Sequence, residues 1–395
     1  MIGSNHFIFD FQPLTSNLIP PTTEGLALNL QTLFCMPATS IAYFISSHGF
    51  GHAARAAAVM EAVAKRDPSI QFDIFTTVPS WFFKNSLSSD FNYHRLLTDF
   101  GLAQKTPFQS DLQDTLRNLN EFYPIPHAHL ADIANTIRKI GSRIIICDIA
   151  PMGLLVANDV GIPSVLVENF TWDWIYRQYE TLDNAIVKYI DYLTPIFEAA
   201  DYHIQTEPIC SPKSVDLVTG PVSRSPRIPR DHIRQRLGLL ANTNVILITT
   251  GGIPQSYDFF QQLSRQRKIT FVLPGAGPEL KIEDNLIVLP HQSDFYHPDL
   301  ANACDAVIGK VGYSTLAEVY HAGVPFGYVA REDYNESGPM VNFIEQRMAG
   351  IAVEESKFID GDWISNLNDL LALPRVHRDS VNGAEPIGKF ILTLI

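Results

Sequence analysis

The sequence predicts an α/β fold with two doubly wound, Rossmann-like parallel sheets whose domains face each other across a cleft. Short apolar runs alternate with helix-like segments along most of the chain, which is typical of parallel sheets. The alternation is interrupted once, at residues 223–230 (SRSPRIPR), whose composition is typical of an interdomain linker. In each half, a glycine turn joins an apolar run to a helix, at residues 47–55 and 304–326.

A chain of 395 residues is too long for a single hydrophobic core, so its length predicts more than one domain. We expect residues 1–38 to be a loosely ordered extension without a clear hydrophobic period. Residues 39–222 and 223–384 are the two predicted Rossmann-like domains. Residues 385–395 are apolar enough to form a final helix, which could pack back on the first domain.

The composition excludes several classes of protein. A net charge of −13 argues against a general nucleic-acid binder. The sequence has no run of about 18 apolar residues, so we expect no transmembrane helix. Four scattered cysteines without metal-ligand spacing fit a reducing, cytoplasmic compartment, and no metal site is predicted.

The first half begins with an apolar run at residues 41–47, followed by a glycine turn and an alanine-rich helix that ends near Lys65. The glycines of this turn let the backbone approach a ligand closely. Its polar side chains converge where open α/β sheets place their ligands, although either histidine alone could be a capping or packing residue. The residues concerned are His48, Gly49, Gly51, His52 and Arg55.

Two further strand ends in the first half carry candidate residues. Asp148 ends the apolar run at residues 142–148, where it is equally well explained as a catalytic or orienting acid and as a helix cap. Trp172 and Asp173 follow the run at residues 162–168, where aromatic faces beside a carboxylate are typical of sugar sites. The alternative for this pair is an aromatic core cluster. The other predicted strands of this half are residues 71–77, 91–99, 202–205 and 215–218, and its later helices are 127–140 and 180–200.

In the second half, residues 304–326 form the most informative segment. An apolar run at 306–308 is followed by Gly309, Gly312 and a helix that starts at Ser314 or Thr315. Free N–H groups and the helix dipole at this turn suit a phosphate, and Glu318 lies one turn further on, within reach of a ribose hydroxyl. The alternative is an ordinary strand–helix turn. The other predicted strands are residues 244–250, 269–273, 285–289 and 326–329, the helices are 230–240, 257–266, 298–303 and 361–373, and residues 275–278 are a predicted turn.

These segments together resemble a known family. The second half is similar to the donor-binding half of GT-B glycosyltransferases, in the family that includes the bacterial peptidoglycan N-acetylglucosaminyltransferase. Segments 47–55 (SHGFGHAAR), 168–176 (ENFTWDWIY) and 309–318 with 333–336 resemble the glycosyltransferase-like amino-terminal region of plant L-arabinokinases. The kinase-type phosphate loop of those proteins has no counterpart here, so no kinase activity is predicted.

The resemblance implies a hexosyltransferase-like enzyme that moves a sugar from a nucleoside-diphosphate sugar, with UDP as the leading nucleotide, to an acceptor hydroxyl. We expect inversion, no required metal and no cofactor. The acceptor is a small molecule or a lipid-linked one, and a lipid-linked acceptor would bring peripheral membrane contact. Two alternatives stay open: an epimerase or hydrolase of the same fold, and a non-catalytic nucleotide-sugar binder.

The resemblance also implies a role for each matching position. His52 is the first candidate for the base that takes the acceptor proton and His48 the second, with Asp148 or Asp173 as the orienting acid. The acceptor side comprises Gly49, Gly51, Arg55, Trp172 and Asp173. The donor side comprises Gly251, Gly252, His291, Gln292, Lys310, Val311, Gly312, Tyr313, Ser314, Thr315, Glu318, Asp333, Asn335 and Glu336.

Overall fold

Two seven-stranded sheets organise the part of the protein that the computed structural model describes, residues 39–240, 242–249 and 259–395. The predicted extension at residues 1–38 lies outside the described residues. The α/β fold with two Rossmann-like sheets is confirmed, because strands and helices alternate in both halves and the sheets are parallel except for one edge strand.

The first sheet is formed by strands that precede residue 220. The strands of this half are β1 (Ser40–Ile45), β2 (Gln71–Thr76), β3 (Phe91–Arg95), β4 (Ala103–Gln104), β5 (Ser110–Asp111), β6 (Ser142–Asp148), β7 (Ser164–Glu168), β8 (Tyr202–Thr206) and β9 (Leu217–Thr219). Its helices are α1 (Gly51–Arg66), α2 (Ser80–Ser86), α3 (Leu112–Phe122), α4 (His127–Ile140), α5 (Pro151–Val160), α6 (Trp172–Arg177) and α7 (Val187–Glu198).

The second sheet follows the segment at residues 223–230. Its strands are β10 (Asn244–Thr249), β11 (Ile269–Gly277), β12 (Lys281–Glu283), β13 (Leu286–Pro290), β14 (Ala306–Lys310), β15 (Phe326–Val329) and β16 (Gly350–Ala352). The helices are α8 (Arg230–Arg236), α9 (Phe260–Ser264), α10 (His297–Ala303), α11 (Tyr313–Ala322), α12 (Ser337–Arg347), α13 (Glu355–Asp360), α14 (Leu367–Ala372) and α15 (Ala384–Leu392).

The strand orders place one reversal point at the centre of each sheet. The first sheet has the order β3-β2-β1-β6-β7-β8-β9, and the second has β12-β13-β11-β10-β14-β15-β16. The chain leaves β1 towards one edge and returns through β6 on the other side, and β10 and β14 repeat this arrangement. Ligands of open α/β sheets bind at the carboxyl ends of such strands, which here carry the residues after Ile45, Asp148 and Lys310.

The two halves share a core. Alanines of α1 pack in one apolar cluster with Leu316 of α11 and Ile387 of α15. Helix α15 approaches α1 so closely that a Cβ on Gly388 would lie 3.1 Å from the Cβ of Ala62. The last helix of the chain therefore lies against the first helix of the first half.

Gly309 explains how the second reversal point is packed. A Cβ at this position would lie 1.8 Å from the backbone oxygen of Thr249 in the neighbouring strand β10. Only glycine allows β10 and β14 to approach this closely, directly before the turn that leads into α11.

Several predicted elements differ from the structure. The predicted helix at 361–373 is a 3₁₀ turn (Asp362–Asn366) followed directly by α14, and Gly361 in a left-handed conformation (φ 82°) ends α13 before it. The predicted turn at 275–278 largely belongs to β11, which continues to Gly277 beyond a register shift. Helix α11 begins at Tyr313, before the predicted Ser314 or Thr315. Within the described ranges, no helix has both the length and the apolar character needed to cross a bilayer.

Candidate functional site

A cleft between the two sheets contains two adjoining pockets that share Phe50, Ser314 and Thr315. The aromatic pocket is lined by Phe50, Trp81, Phe82, Asn85, Arg224, Thr249, Pro274, Gly275, Pro290, His291, Ser293, Phe295, Tyr296, His297, Leu300, Ser314, Thr315 and Glu318. The polar pocket is lined by Ser47, His48, Gly49, Phe50, Gly51, His52, Arg55, Leu102, Gln104, Phe170, Lys310, Gly312, Tyr313, Ser314, Thr315, Arg331, Tyr334 and Glu336. They offer about 820 and 950 Å³ of space, part of it open to solvent, which is enough for a small-molecule ligand.

Two helix N-termini face each other in the polar pocket. Helix α1 begins at Gly51 and α11 at Tyr313, and a Cβ on Gly51 would lie 3.9 Å from the hydroxyl of Ser314. The N-cap residues, Phe50 and Gly312, have no polar side-chain atom that could accept from the first turn. The first N–H groups of both helices lack intrahelical acceptors, so the two positive dipole ends converge on a site suited to an anion.

The Asp148 cluster, formed by His52, Arg55 and Asp148, lies beside these N-termini. Arg55 Nε donates to Asp148 Oδ2 (2.8 Å), and a terminal nitrogen of Arg55 donates to Oδ1 (2.6 Å). His52 Nδ1 lies 2.9 Å from the same Oδ1. Burial opposes ionisation of Asp148, but the charge and hydrogen bonds of Arg55, with a smaller contribution from His52, outweigh it and lower the pKa of this carboxyl.

The charge state of Asp148 fixes the tautomer of His52. A carboxylate can only accept, so in the neutral imidazole of His52 the hydrogen is on Nδ1 and the lone pair on Nε2. His52 lines the polar pocket, and its side chain is 9% exposed. This arrangement presents an oriented proton acceptor next to the anion site.

A buried amide connects the Asp148 cluster to the second half of the chain. Asn169 Oδ1 accepts from Arg55 (2.6 Å), and its Nδ2 donates to Glu336 Oε1 (2.9 Å). Glu336 also lies 3.8 Å from a terminal nitrogen of Arg331, whose guanidinium stacks on Tyr334 at 3.6 Å. Asn169 of the first half therefore positions Glu336, the acid with which the second half lines the polar pocket.

The polar pocket has a positive bias. Burial, followed by repulsion from Arg331, lowers the pKa of Lys310 to about 7, against the opposing attraction of Glu336. Burial and the neighbouring His52, Arg331 and Lys310 lower the pKa of His48 well below its usual value. Among the described residues, no hydrogen-bond partner reaches the buried Nε of Arg331. An anionic ligand would relieve this repulsion.

The ring of Trp172 packs against the ring of His48. Its indole N–H donates to Asp99 (2.8 Å), and its ring lies edge-on to the His48 ring with 5.1 Å between centroids. A Cβ on Gly101 would lie 2.5 Å from the Trp172 ring and 2.8 Å from His48 Nδ1, so glycine is required here. Burial raises the pKa of Asp99 to about 6, against the hydrogen bond from Trp172.

The Glu318 cluster, formed by Arg224, His297 and Glu318, lies in the aromatic pocket. Arg224 donates through Nε to Glu318 Oε1 (3.0 Å), a terminal nitrogen of Arg224 forms an ion pair with the same oxygen (2.9 Å), and His297 Nδ1 lies 2.7 Å from Oε2. Burial alone would raise the pKa of Glu318, but Arg224 and His297 outweigh it and lower the pKa. Arg224 also bonds Ser86 of α2, so this cluster joins the two halves.

Comparisons with known proteins agree with this architecture. No protein-family model matches the chain. It is 27% identical over 349 residues to L-arabinokinase of Arabidopsis thaliana, which covers 87% of this chain and 33% of that protein. It is 22% identical over 237 residues to an uncharacterized glycosyltransferase of Methanopyrus kandleri, covering 55% of this chain and 65% of that protein. The chain thus spans about a third and just under two thirds of these relatives.

Solved structures share the arrangement of both sheets. Medicago truncatula UGT71G1 complexed with UDP-glucose has a TM-score of 0.55 at 12% identity, covering 89% of this chain and 93% of that one. Acinetobacter baumannii MurG has a TM-score of 0.53 at 15% identity, covering 90% and 99%. The chain has the GT-B fold. This glycosyltransferase-like fold confirms the predicted fold class.

The GT-B cleft brings together many of the residues expected to act there. His48, Gly49, Gly51, His52 and Arg55 line it from the first half. From the second half it is lined by His291, Lys310, Gly312, Tyr313, Ser314, Thr315, Glu318 and Glu336. Asp148 lies directly behind His52 and Trp172 behind His48. Gly251 and Gly252 are outside the described residues.

Other expected residues do not line the GT-B cleft. The carboxylate of Asp333 accepts from the Ser110 N–H and its backbone oxygen from Gln178 and Tyr179, while the Asn335 N–H donates to Gln178. Val311 uses its N–H within the sheet, on Val329. Asp173 accepts from Thr194 on α7, and Gln292 is exposed outside both pockets.

Sequence reasoning missed four functional positions: Asn169, His297, Arg331 and Asp99. Asn169 and Arg331 stand inside or beside segments that the sequence singled out, but nothing local showed which of those polar residues face the cleft. His297 opens α10 directly before Pro298, which reads as a helix start. The only sequence feature that marked Asp99 was its position at the end of a predicted strand.

Proposed function

We propose that this protein is an inverting, metal-independent glycosyltransferase that moves a sugar from a nucleoside-diphosphate sugar, with UDP as the nucleotide, to an acceptor hydroxyl. One observation carries the proposal. The N-termini of α1 and α11 face each other beside Lys310, with an aromatic pocket on one side and the oriented His52 on the other. This order of subsites matches the order of groups in such a donor and its acceptor.

The donor would lie across both pockets. Its diphosphate would occupy the anion site, held by the N–H groups of Tyr313 to Thr315 and by Lys310. Its nucleoside would enter the aromatic pocket, with His291 near the base and Glu318 near the ribose. Two structures with the same fold were solved with UDP or UDP-glucose, which supports UDP as the nucleotide.

The sugar would then lie in the polar pocket. Glu336 can accept from sugar hydroxyls, and Arg331 can donate to them, since both side chains line this pocket. We retain Gly251 and Gly252 as residues near the diphosphate. Asp333 and Asn335 would act on the sugar only indirectly, through the segment that places Glu336.

The chemistry would begin at His52. Its Nε2 would take the proton of the acceptor hydroxyl as the oxygen attacks the anomeric carbon, and Asp148 would stabilise the imidazolium that forms. One displacement on the face opposite the diphosphate inverts the anomeric configuration. His48, with its lowered pKa, is a neutral neighbour that can hold the acceptor by a hydrogen bond.

The leaving diphosphate would be stabilised without a metal. Two helix N-termini contribute about half a positive charge each. Protonated Lys310 adds one, so the site approaches the two negative charges that the diphosphate carries in the donor and favours the further charge that develops on it as it leaves. The acceptor, a small molecule or a lipid-linked one, would enter beside Gly49, His48 and the ring of Trp172.

Product analysis tests the proposal. The protein is incubated in EDTA with a panel of UDP-sugars and hydroxyl acceptors, small and lipid-linked, and products are followed by NMR with His52→Gln as the control. We expect release of UDP and a product of inverted anomeric configuration, from the acceptor or, more slowly, from water. An isomerised UDP-sugar would indicate an epimerase, and bound but unconverted donors would indicate a non-catalytic binder.

A further inference from the structure

The carboxylate of Glu318 is largely occupied within the protein. Arg224 Nε donates to Oε1 at 3.0 Å, a terminal nitrogen of Arg224 forms an ion pair with the same oxygen at 2.9 Å, and His297 Nδ1 donates to Oε2 at 2.7 Å. The side chains of Arg224 and Glu318 are only 9% and 2% exposed, so water competes little for these bonds. Both partners hold Glu318 in the wall of the aromatic pocket.

The remaining hydrogen-bonding capacity of Glu318 can be counted. Each carboxylate oxygen offers about two lone-pair positions. Two nitrogens of Arg224 lie within 3.0 Å of Oε1 and occupy its surroundings, one by a hydrogen bond and one by an ion-pair contact. Oε2 uses one position on His297, which leaves one position of Oε2 for a ligand. A ribose presents two neighbouring hydroxyls, so Glu318 by itself cannot accept from both.

His297 can supply the second acceptor. Its Nδ1 must carry the hydrogen, because it bonds a carboxylate whose pKa is lowered, so the lone pair of the neutral imidazole is on Nε2. The side chain is 26% exposed and lines the aromatic pocket. The third member of the cluster, Arg224, has only donors and cannot take this role.

We infer that His297 Nε2 accepts one ribose hydroxyl of the nucleotide while Glu318 Oε2 accepts the other. The inference rests on the proposed function, in which the aromatic pocket holds the nucleoside. On this inference His297 determines specificity for ribonucleotides. Arg224 is a positioning residue that occupies one carboxylate oxygen of Glu318. The cluster would discriminate against a nucleotide that lacks the hydroxyl facing His297.

The loss of one hydroxyl should weaken binding roughly tenfold, since a partly buried acceptor is left without its donor. Calorimetric titrations with UDP, 2′-deoxy-UDP and 3′-deoxy-UDP measure this on the complete chain. For the wild-type protein we expect at least one deoxy analogue to bind about tenfold more weakly than UDP.

Two variants of His297 separate its two nitrogens. His297→Asn keeps an amide donor near the position of Nδ1 but removes the acceptor at Nε2. We expect it to bind UDP about tenfold more weakly and to bind the affected deoxy analogue as tightly as UDP. His297→Gln places a carbonyl near Nε2 and should retain discrimination. His129→Asn, at an exposed position of α4, is the matched control and should behave as wild type.

Each result decides the inference. Equal binding of UDP and both deoxy analogues by the wild-type protein would overturn it without any variant. Undiminished discrimination by His297→Asn would assign both hydroxyls to other groups and would overturn it as well. If no nucleoside diphosphate binds the wild-type protein, the proposed function fails first and this inference fails with it.

Discussion

The two ends of the cleft contain the same arrangement of side chains. In the Asp148 cluster and in the Glu318 cluster, two nitrogens of an arginine lie within 3.0 Å of a buried carboxylate, and the carboxylate accepts from Nδ1 of a histidine. In both, the arginine keeps the acid ionised and the acid fixes the histidine tautomer. Both histidines line the cleft, and in each neutral ring the bond of Nδ1 to the carboxylate leaves Nε2 as the acceptor.

The clusters differ in how they are anchored. Arg55 uses both oxygens of Asp148 and is 1% exposed, within the first half. Arg224 uses one oxygen of Glu318, comes from the segment between the sheets, and packs against Phe82 and Tyr296. The same arrangement of arginine, carboxylate and histidine can therefore serve two roles, which depend on the pocket beside it. In the proposed function it provides a base beside the anion site and a hydroxyl acceptor beside the aromatic rings.

The largest expected effect separates these roles at His52. Replacing His52 by Gln removes the base, so we expect transfer to slow by roughly 10²- to 10⁴-fold. UDP affinity should stay within about twofold, because the nucleoside and diphosphate lie elsewhere. Single-turnover rates and calorimetry measure the two quantities. A variant that retains its rate within tenfold would show that His52 is not the base.

The next prediction compares how much each cluster contributes to the free energy of unfolding. Asp148→Asn leaves Arg55 buried without its counter-charge, so we expect the free energy of unfolding to fall by about 3–5 kcal/mol. Glu318→Gln should cost less, because Arg224 keeps Ser86 and two aromatic rings at the cleft surface. Urea unfolding curves give both values. Equal losses would mean that the two clusters are anchored equally firmly.

The smallest expected effect concerns the side-chain ammonium of Lys310, between the two clusters. The pKa of Lys310 is lowered to about 7 in the free protein, and a bound diphosphate should raise it by favouring the charged form. UDP binding should therefore take up a proton above pH 7, and affinity should fall by at most about tenfold per pH unit as pH rises.

Calorimetry in buffers of different ionisation enthalpy measures this proton uptake. Lys310→Met should abolish it, whereas Lys357→Met, at an exposed position of α13, should leave it unchanged. Identical proton uptake by wild type and Lys310→Met would place the diphosphate away from this side chain.

Local sequence was enough to predict the strands and turns that frame the cleft. The apolar runs before His48 and after Asp305, each followed by glycines, specify strand, turn and helix within one segment. The clusters could not be predicted in this way, because their bonds join residues 96 positions apart for His52 and Asp148 and 94 apart for Arg224 and Glu318. Such pairs depend on strand order, which no local pattern contains.

The segment at residues 333–336 shows the same limit. Sequence reasoning placed Asp333, Asn335 and Glu336 on the donor side, yet Glu336 alone among these three lines either described pocket. Asp333 and Asn335 instead bond Gln178 of the first half, because this loop crosses the cleft. Which side of a loop faces a ligand is decided by tertiary packing rather than by residue type.

The central claim is a metal-independent diphosphate site between two facing helix N-termini. Its most direct test is a calorimetric titration of the wild-type protein with UDP and with uridine, both in EDTA. Helix termini and a charge-assisted hydrogen bond predict that UDP binds roughly a hundredfold more tightly than uridine. Equal affinity for UDP and uridine, or tight UDP binding only after magnesium is added, would contradict the account.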